Sequence, residues 1–100
     1  PEIFNDKSHS YHLYTIRVTK DYGISRNKLF EIFKKHGIRT TVYWQPLHEF
    51  SAYKKFVSKK SVINSTKLYN EILSLPLYPN IPVSHQKLVI KCIKKYQFST

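Results

Sequence analysis

Few side chains in this sequence have types and spacing that invite chemistry. The pair His9 and His12 has the look of a metal-binding couple. On an extended segment, however, residues three apart point to opposite faces, and a structural zinc takes four ligands. No cysteine or acidic cluster lies nearby, so no metal site is expected. Cys92, the single cysteine, falls in an apolar helical stripe, where a free thiol serves as a small hydrophobe rather than a nucleophile. The carboxylates Glu2, Asp6, Asp21, Glu31, Glu49 and Glu71 form no obvious pair for acid/base hydrolysis. Gly23 and Gly37 are the only glycines, which excludes a glycine-rich phosphate loop. By its own residues, the chain is not a self-sufficient enzyme.

The segment that remains is 39–48, reading RTTVYWQPLH. Arg39, Tyr43, Trp44 and His48 gather at a strand end beside Pro46, a combination able to line a pocket for a sugar or a phosphate. The competing reading is pure packing, with Val42 and Trp44 against a sheet face and Tyr43 half exposed. Spacing alone favours packing, because large aromatics in strands are usually core.

The elements that must position this segment follow from periodicity. Residues 1–11 have none and read as a linker from a preceding domain. Residues 12–18 alternate, with Tyr14, Ile16 and Val18 on one face, and predict a strand that Asp21-Tyr22-Gly23 ends. Ser25 is a helix cap. After it, Leu29, Phe30, Ile32 and Phe33 recur at helical spacing until Gly37 stops the helix. Residues 40–44, β-branched and aromatic, predict a second strand terminated by Pro46. Phe50, Tyr53 and Phe56 suggest a short helix or irregular helical turns over 47–60. A firmer helix is predicted over 64–73, with Leu68, Ile72 and Leu73 on its apolar side, followed by a brief extended piece at 75–79 between prolines. Ser84 caps the last helix, with Val83 and Leu88 as a hydrophobic staple and Leu88, Val89, Cys92, Ile93 and Tyr96 as the buried stripe. The expected fold class is α+β, one small, mainly antiparallel sheet covered on one side by helices.

One hundred residues with 41% hydrophobic content support a single modest core. The formal charge of +11 raises nucleic acid as a partner. Arginine, which reads phosphate and guanine with a planar fork, occurs only as Arg17, Arg26 and Arg39. The lysines sit in scattered pairs, as on solvated faces, so nucleic acid is not the expected partner. No apolar run reaches membrane-spanning length and no secretory leader is visible, so a cytoplasmic chain with no membrane association is expected.

Four stretches together resemble the C-terminal part of the DegT/DnrJ/StrS family of sugar aminotransferases, the group also named for spore-coat polysaccharide biosynthesis. They are Tyr11-His-Leu-Tyr-Thr-Ile-Arg-Val18, Arg26-Asn-Lys-Leu-Phe through Lys35-His-Gly-Ile38, Tyr43-Trp-Gln-Pro-Leu-His48, and Lys67-Leu-Tyr-Asn-Glu-Ile-Leu-Ser-Leu-Pro-Leu-Tyr-Pro79. They stand in the family's order and spacing over nearly the whole chain. Where the family places histidine and tyrosine before Pro-Leu-His, this sequence has Tyr43 and Trp44, so the histidine's role does not carry over to Tyr43.

The resemblance implies that residues 12–100 form the small domain of an enzyme dependent on pyridoxal phosphate (PLP), with Trp44 and His48, flanked by Tyr43 and Arg39, facing the substrate cleft. It also implies a large PLP-binding domain, in the same or a separate chain, a nucleotide-linked keto-sugar substrate and a homodimeric parent. PLP needs a lysine bonded to its aldehyde, an acidic partner for its ring nitrogen and a phosphate cup. The resemblance puts all three on the large domain, so this chain by itself is expected to bind no cofactor and catalyse nothing. The alternative is a basic nucleic-acid-binding or non-catalytic interaction domain.

Overall fold

The computed structural model describes residues 4–98; residues 1–3, the beginning of the expected linker, lie outside the described residues. Strand β1 (Tyr14–Arg17) pairs antiparallel with β2 (Ile72–Leu75), Tyr14 opposite Leu75 and Arg17 opposite Ile72. Helices α1 (Arg26–Lys35) and α3 (Val83–Tyr96) supply the apolar layer, and α2 (Ile63–Glu71) runs straight into β2. The α+β class therefore holds, with a sheet of two strands.

Helix α1 follows its local signals closely. The Ser25 hydroxyl accepts from the Lys28 amide (3.2 Å) and closes the first turn. At the other end Gly37, at φ 70°, donates to the Lys34 carbonyl, and Ile38 donates to that of Phe33. This pair of bonds is a Schellman motif, and it needs the left-handed conformation that glycine adopts without strain. The same closure drives Ile38 into the core beside Phe33.

The core is small. Leu29, Phe33 and Leu73 are fully enclosed, with Val18, Ile38 and Cys92 around them. Burial holds the Cys92 thiol above its ordinary pKa, and burial also raises that of Tyr22, whose hydroxyl donates to the Ile93 carbonyl (2.6 Å).

Several expected elements end elsewhere. The predicted helix over 64–73 stops at Glu71, and Leu73 is a strand residue pointing into the core. The predicted strand over 40–44 shrinks to one bridge between Thr41 and Ser74. The next pairing of that ladder would join Tyr43 to Ile72, but the Ile72 amide donates to Leu68 within α2 and its carbonyl accepts from Arg26 (2.8 Å). The single amide hydrogen is therefore committed to α2, and the carbonyl is already engaged. Ser84 does not cap α3. Pro82 holds that position, its carbonyl accepting from His85 and Gln86, while Val83 and Leu88 stay exposed and form no staple. Tyr14 is also exposed, so burial deepens along the segment, from half-buried Ile16 in β1 to buried Val18 just beyond it. Residues 47–62 form three 3-10 turns, matching the expectation of irregular helical turns there.

Arg26 holds the arrangement together. Only 7% exposed, it donates from Nη1 to the Tyr69 carbonyl (3.0 Å) and the Ile72 carbonyl, and from Nε to Asn27 Oδ1 (2.7 Å). Its guanidinium also lies 5.4 Å from the Tyr69 ring centroid. The charge sits at the C-terminal end of α2, where the helix dipole favours a cation.

Two predictions follow from this core. Arg26→Ala should cost about 3 kcal/mol in urea denaturation, since buried carbonyls lose a charged donor. Arg26→Lys should recover part of that loss, a single ammonium being unable to reproduce the fork. Because the folded state raises the pKa of both Cys92 and Tyr22, their contribution to stability is intact below the unfolded pKa values and fades as pH climbs through the folded ones. Stability measured above pH ~9 should therefore decline, and Cys92→Ala should soften the decline.

Candidate functional site

Denied a ladder partner, the chain after Thr41 leaves the sheet edge and lies beside α2. Val42 still packs against the core. Trp44 is 76% exposed, so the packing role suggested by its strand position is not what the fold gives it. Tyr43 is half-buried, its ring centroid 4.7 Å from that of Trp44. Trp44, Pro46, Leu47 and His48 form one wall of a hollow of about 350 Å³ whose other wall is Leu68 and Tyr69 of α2.

His48 is the hinge of the site. Half-buried, it also lines an adjoining hollow of about 540 Å³ with Glu49, Lys54, Lys59 and Thr66. Its Nε2 lies 3.0 Å from Thr66 Oγ1, and that hydroxyl donates its own hydrogen to the Val62 carbonyl (3.2 Å). A hydroxyl has one hydrogen, so Thr66 accepts from His48 and the imidazole carries its proton on Nε2. Nδ1 is left as an acceptor when the ring is neutral. An exposed indole face beside a fixed imidazole can cover a planar or sugar ring and accept from a hydroxyl.

Arg39 lies elsewhere. It lines a separate hollow of about 300 Å³ with Tyr78 and His85, whose hydroxyl and Nδ1 are 3.1 Å apart. The structure thus brings Trp44, Tyr43 and His48 together and leaves Arg39 on another wall. Thr66 and Tyr69 were missed by sequence reasoning. Their contacts with the 43–48 segment cross the turns at 47–62, and no spacing rule reaches that far.

The residues present do not fit PLP. Every lysine among the described residues is exposed, whereas a lysine bonded to the cofactor must be desolvated. Gly23 and Gly37 sit in positive-φ turns that close helical segments, not in a loop that cradles phosphate.

The fold agrees with one class of protein, the sugar aminotransferases. Residues 2–94 match the DegT/DnrJ/EryC1/StrS aminotransferase family, and the chain belongs to that family, which is PLP-dependent. It is similar to the UDP-4-amino-4,6-dideoxy-N-acetyl-beta-L-altrosamine transaminase of Campylobacter jejuni, 31% identical over 88 residues, or 88% of this chain and 23% of that protein. It is also similar to the spore coat polysaccharide biosynthesis protein SpsC of Bacillus subtilis, 31% identical over 98 residues, or 94% of this chain and 25% of that protein. Among solved structures, a DegT DnrJ EryC1 StrS aminotransferase from Brucella abortus superposes with a TM-score of 0.82 at 27% identity, covering 99% of this chain and 26% of that one. The chain spans about a quarter of the length of the relatives it matches.

Thr66→Val should test the His48 geometry. It removes two part-buried hydrogen bonds, to His48 and to the Val62 carbonyl, so the expected stability loss is about 1–2 kcal/mol. The His48 ring nitrogen shifts, read by NMR, should move toward the other tautomer, and unchanged shifts would contradict the assignment.

Proposed function

We propose that residues 12–100 are the small domain of a sugar aminotransferase, with residues 1–11 leading in from a large PLP-binding domain. The observation that carries this reading is the superposition on a solved family member over 99% of this chain and only 26% of the other. What matches is one compact piece of a larger enzyme. The substrate would be a nucleotide-linked keto-sugar on the way to a polysaccharide or cell-surface glycan, and the parent would be a cytoplasmic homodimer. Within the described residues, no helix is long and apolar enough to cross a membrane.

The large domain would hold PLP, which would supply the electron sink for amino transfer. This chain's own residues form a wall. Trp44 lays its indole against the flat face of the sugar or nucleotide and keeps water from that side. Tyr43 braces the indole. His48, fixed through Nε2 by Thr66, accepts from a substrate hydroxyl at Nδ1 and so sets the sugar's orientation. Arg39, on its separate wall, contributes charge at a distance from the sugar, where a phosphate of the nucleotide would be met. The chain alone has neither cofactor nor activity.

The test is a graft. This chain replaces the matching quarter of the Campylobacter jejuni transaminase, and turnover is measured with that enzyme's own substrate. A folded chimera should show PLP absorbance and transamination. Trp44→Ala in the chimera should raise KM for the sugar substrate about tenfold with little change in KM for the amino donor. A folded chimera that binds PLP yet transfers no nitrogen would overturn the reading.

A further inference from the structure

The core is open at one end. Ile16, Leu75, Val89 and Ile93 pack against the buried cluster from one side, and on the other they floor a groove of about 510 Å³ between the sheet and α3. Its rim is apolar as well. Tyr14, Leu77 and Ile90 line it while remaining 58%, 42% and 51% exposed. The groove is a continuation of the core with its last layer missing, and solvent meets an apolar face that folding has not covered.

What borders the groove specifies its occupant. Ile90 also lines the adjoining surface, which is otherwise made of Lys87, Lys91, Lys94 and Lys95. These four lysines lie at spacings of three and four along α3, a helix with no acidic residue. Like charges so spaced repel within the helix, so a negative neighbour would relieve them. An occupant of this surface therefore needs an apolar ridge with carboxylates along one flank.

We infer that the groove is the docking face for the large domain, which enters it with an amphipathic helix whose apolar side fills the open end of the core and whose Asp or Glu residues meet the lysine edge of α3. The inference rests on the proposed function and names the face through which the two parts join. The relatives' length gives the occupant its source, since about three-quarters of each matched protein lies outside the stretch this chain covers. The groove is distinct from the Trp44–His48 wall, sharing no lining residue with it. Docking at one face thus leaves the substrate wall free to bound the cleft.

The experiment mixes this chain with the Campylobacter jejuni transaminase shortened by its matching quarter, and follows association by surface plasmon resonance over a range of salt. The wild-type chain should bind, less tightly as salt rises. Ile90→Glu and Leu77→Glu, each at a position already partly exposed, should keep the circular dichroism of the free chain and weaken binding about tenfold or more, because a charge would be buried in an apolar contact. Lys91→Glu with Lys94→Glu should weaken binding and flatten its salt dependence. Phe56→Glu, on an exposed turn away from the groove, should bind as wild type.

Wild-type binding that the groove variants leave unchanged would overturn the docking face while the proposed function stands. A wild-type chain that does not associate would count against the proposed function itself. Should Ile90→Glu abolish self-association of the chain but leave its binding to the large part intact, the groove belongs to a second copy and the inference is wrong.

Discussion

The bonds from Arg26 to the carbonyls of Tyr69 and Ile72 are the constraint on which the rest of the structure depends. They tie the first turn of α1 to the point where α2 becomes β2, two places far apart in sequence. A buried guanidinium is costly unless its donors are satisfied, and here the acceptors are backbone carbonyls at the negative end of a helix. The bond therefore fixes the position of the helix end as firmly as it fixes the arginine. Once α2 is ended there, Leu73 falls opposite Ile16 and enters the core, and Ser74 turns to the other face, where its hydroxyl lies 3.0 Å from that of Thr15.

The same junction bears on the candidate wall. With the Ile72 amide held within α2 and its carbonyl engaged by Arg26, the third segment pairs only through the Thr41 bridge, and the chain from Val42 onward runs beside α2. Trp44, beyond the point where pairing ends, is exposed. A stability device and a site-forming device are thus one interaction. Loss of Arg26 would be expected to disturb the Trp44–His48 geometry as well as the core, since both hang from the α2–β2 junction.

Parts of this architecture were legible in the sequence where the determinants are local. Ser25, the Leu29/Phe33 spacing and Gly37 define α1 because capping and periodicity act within a few residues. Cys92, in the stripe of α3, is the buried hydrophobe that its position predicts. The α2–β2 boundary was not legible. Leu68, Ile72 and Leu73 have helical spacing, and only Arg26, more than forty residues earlier, together with Pro76 beyond, decides that the last two are extended. The start of α3 lies two residues earlier than the predicted Ser84 cap implies, because Pro82, with its fixed φ, takes the cap position. In the site, Trp44 and His48 stood out as chemistry near a strand end. Thr66, which sets the imidazole's proton, did not, because a lone threonine on a weakly amphipathic helix carries no signal of the ring it will meet.

The division of labour between this chain and the remainder of its relatives follows from what a small core can support. Among the described residues, six buried hydrophobic side chains hold two strands and three helices, and they leave no interior in which to desolvate a lysine or enclose a charged cofactor. A surface wall asks for less. An exposed indole and a fixed imidazole need only a rigid backing, which α2 provides through Thr66 and Tyr69. On the proposed reading, chemistry that requires burial falls to a larger body, and the open apolar end of this core is the face that body would meet.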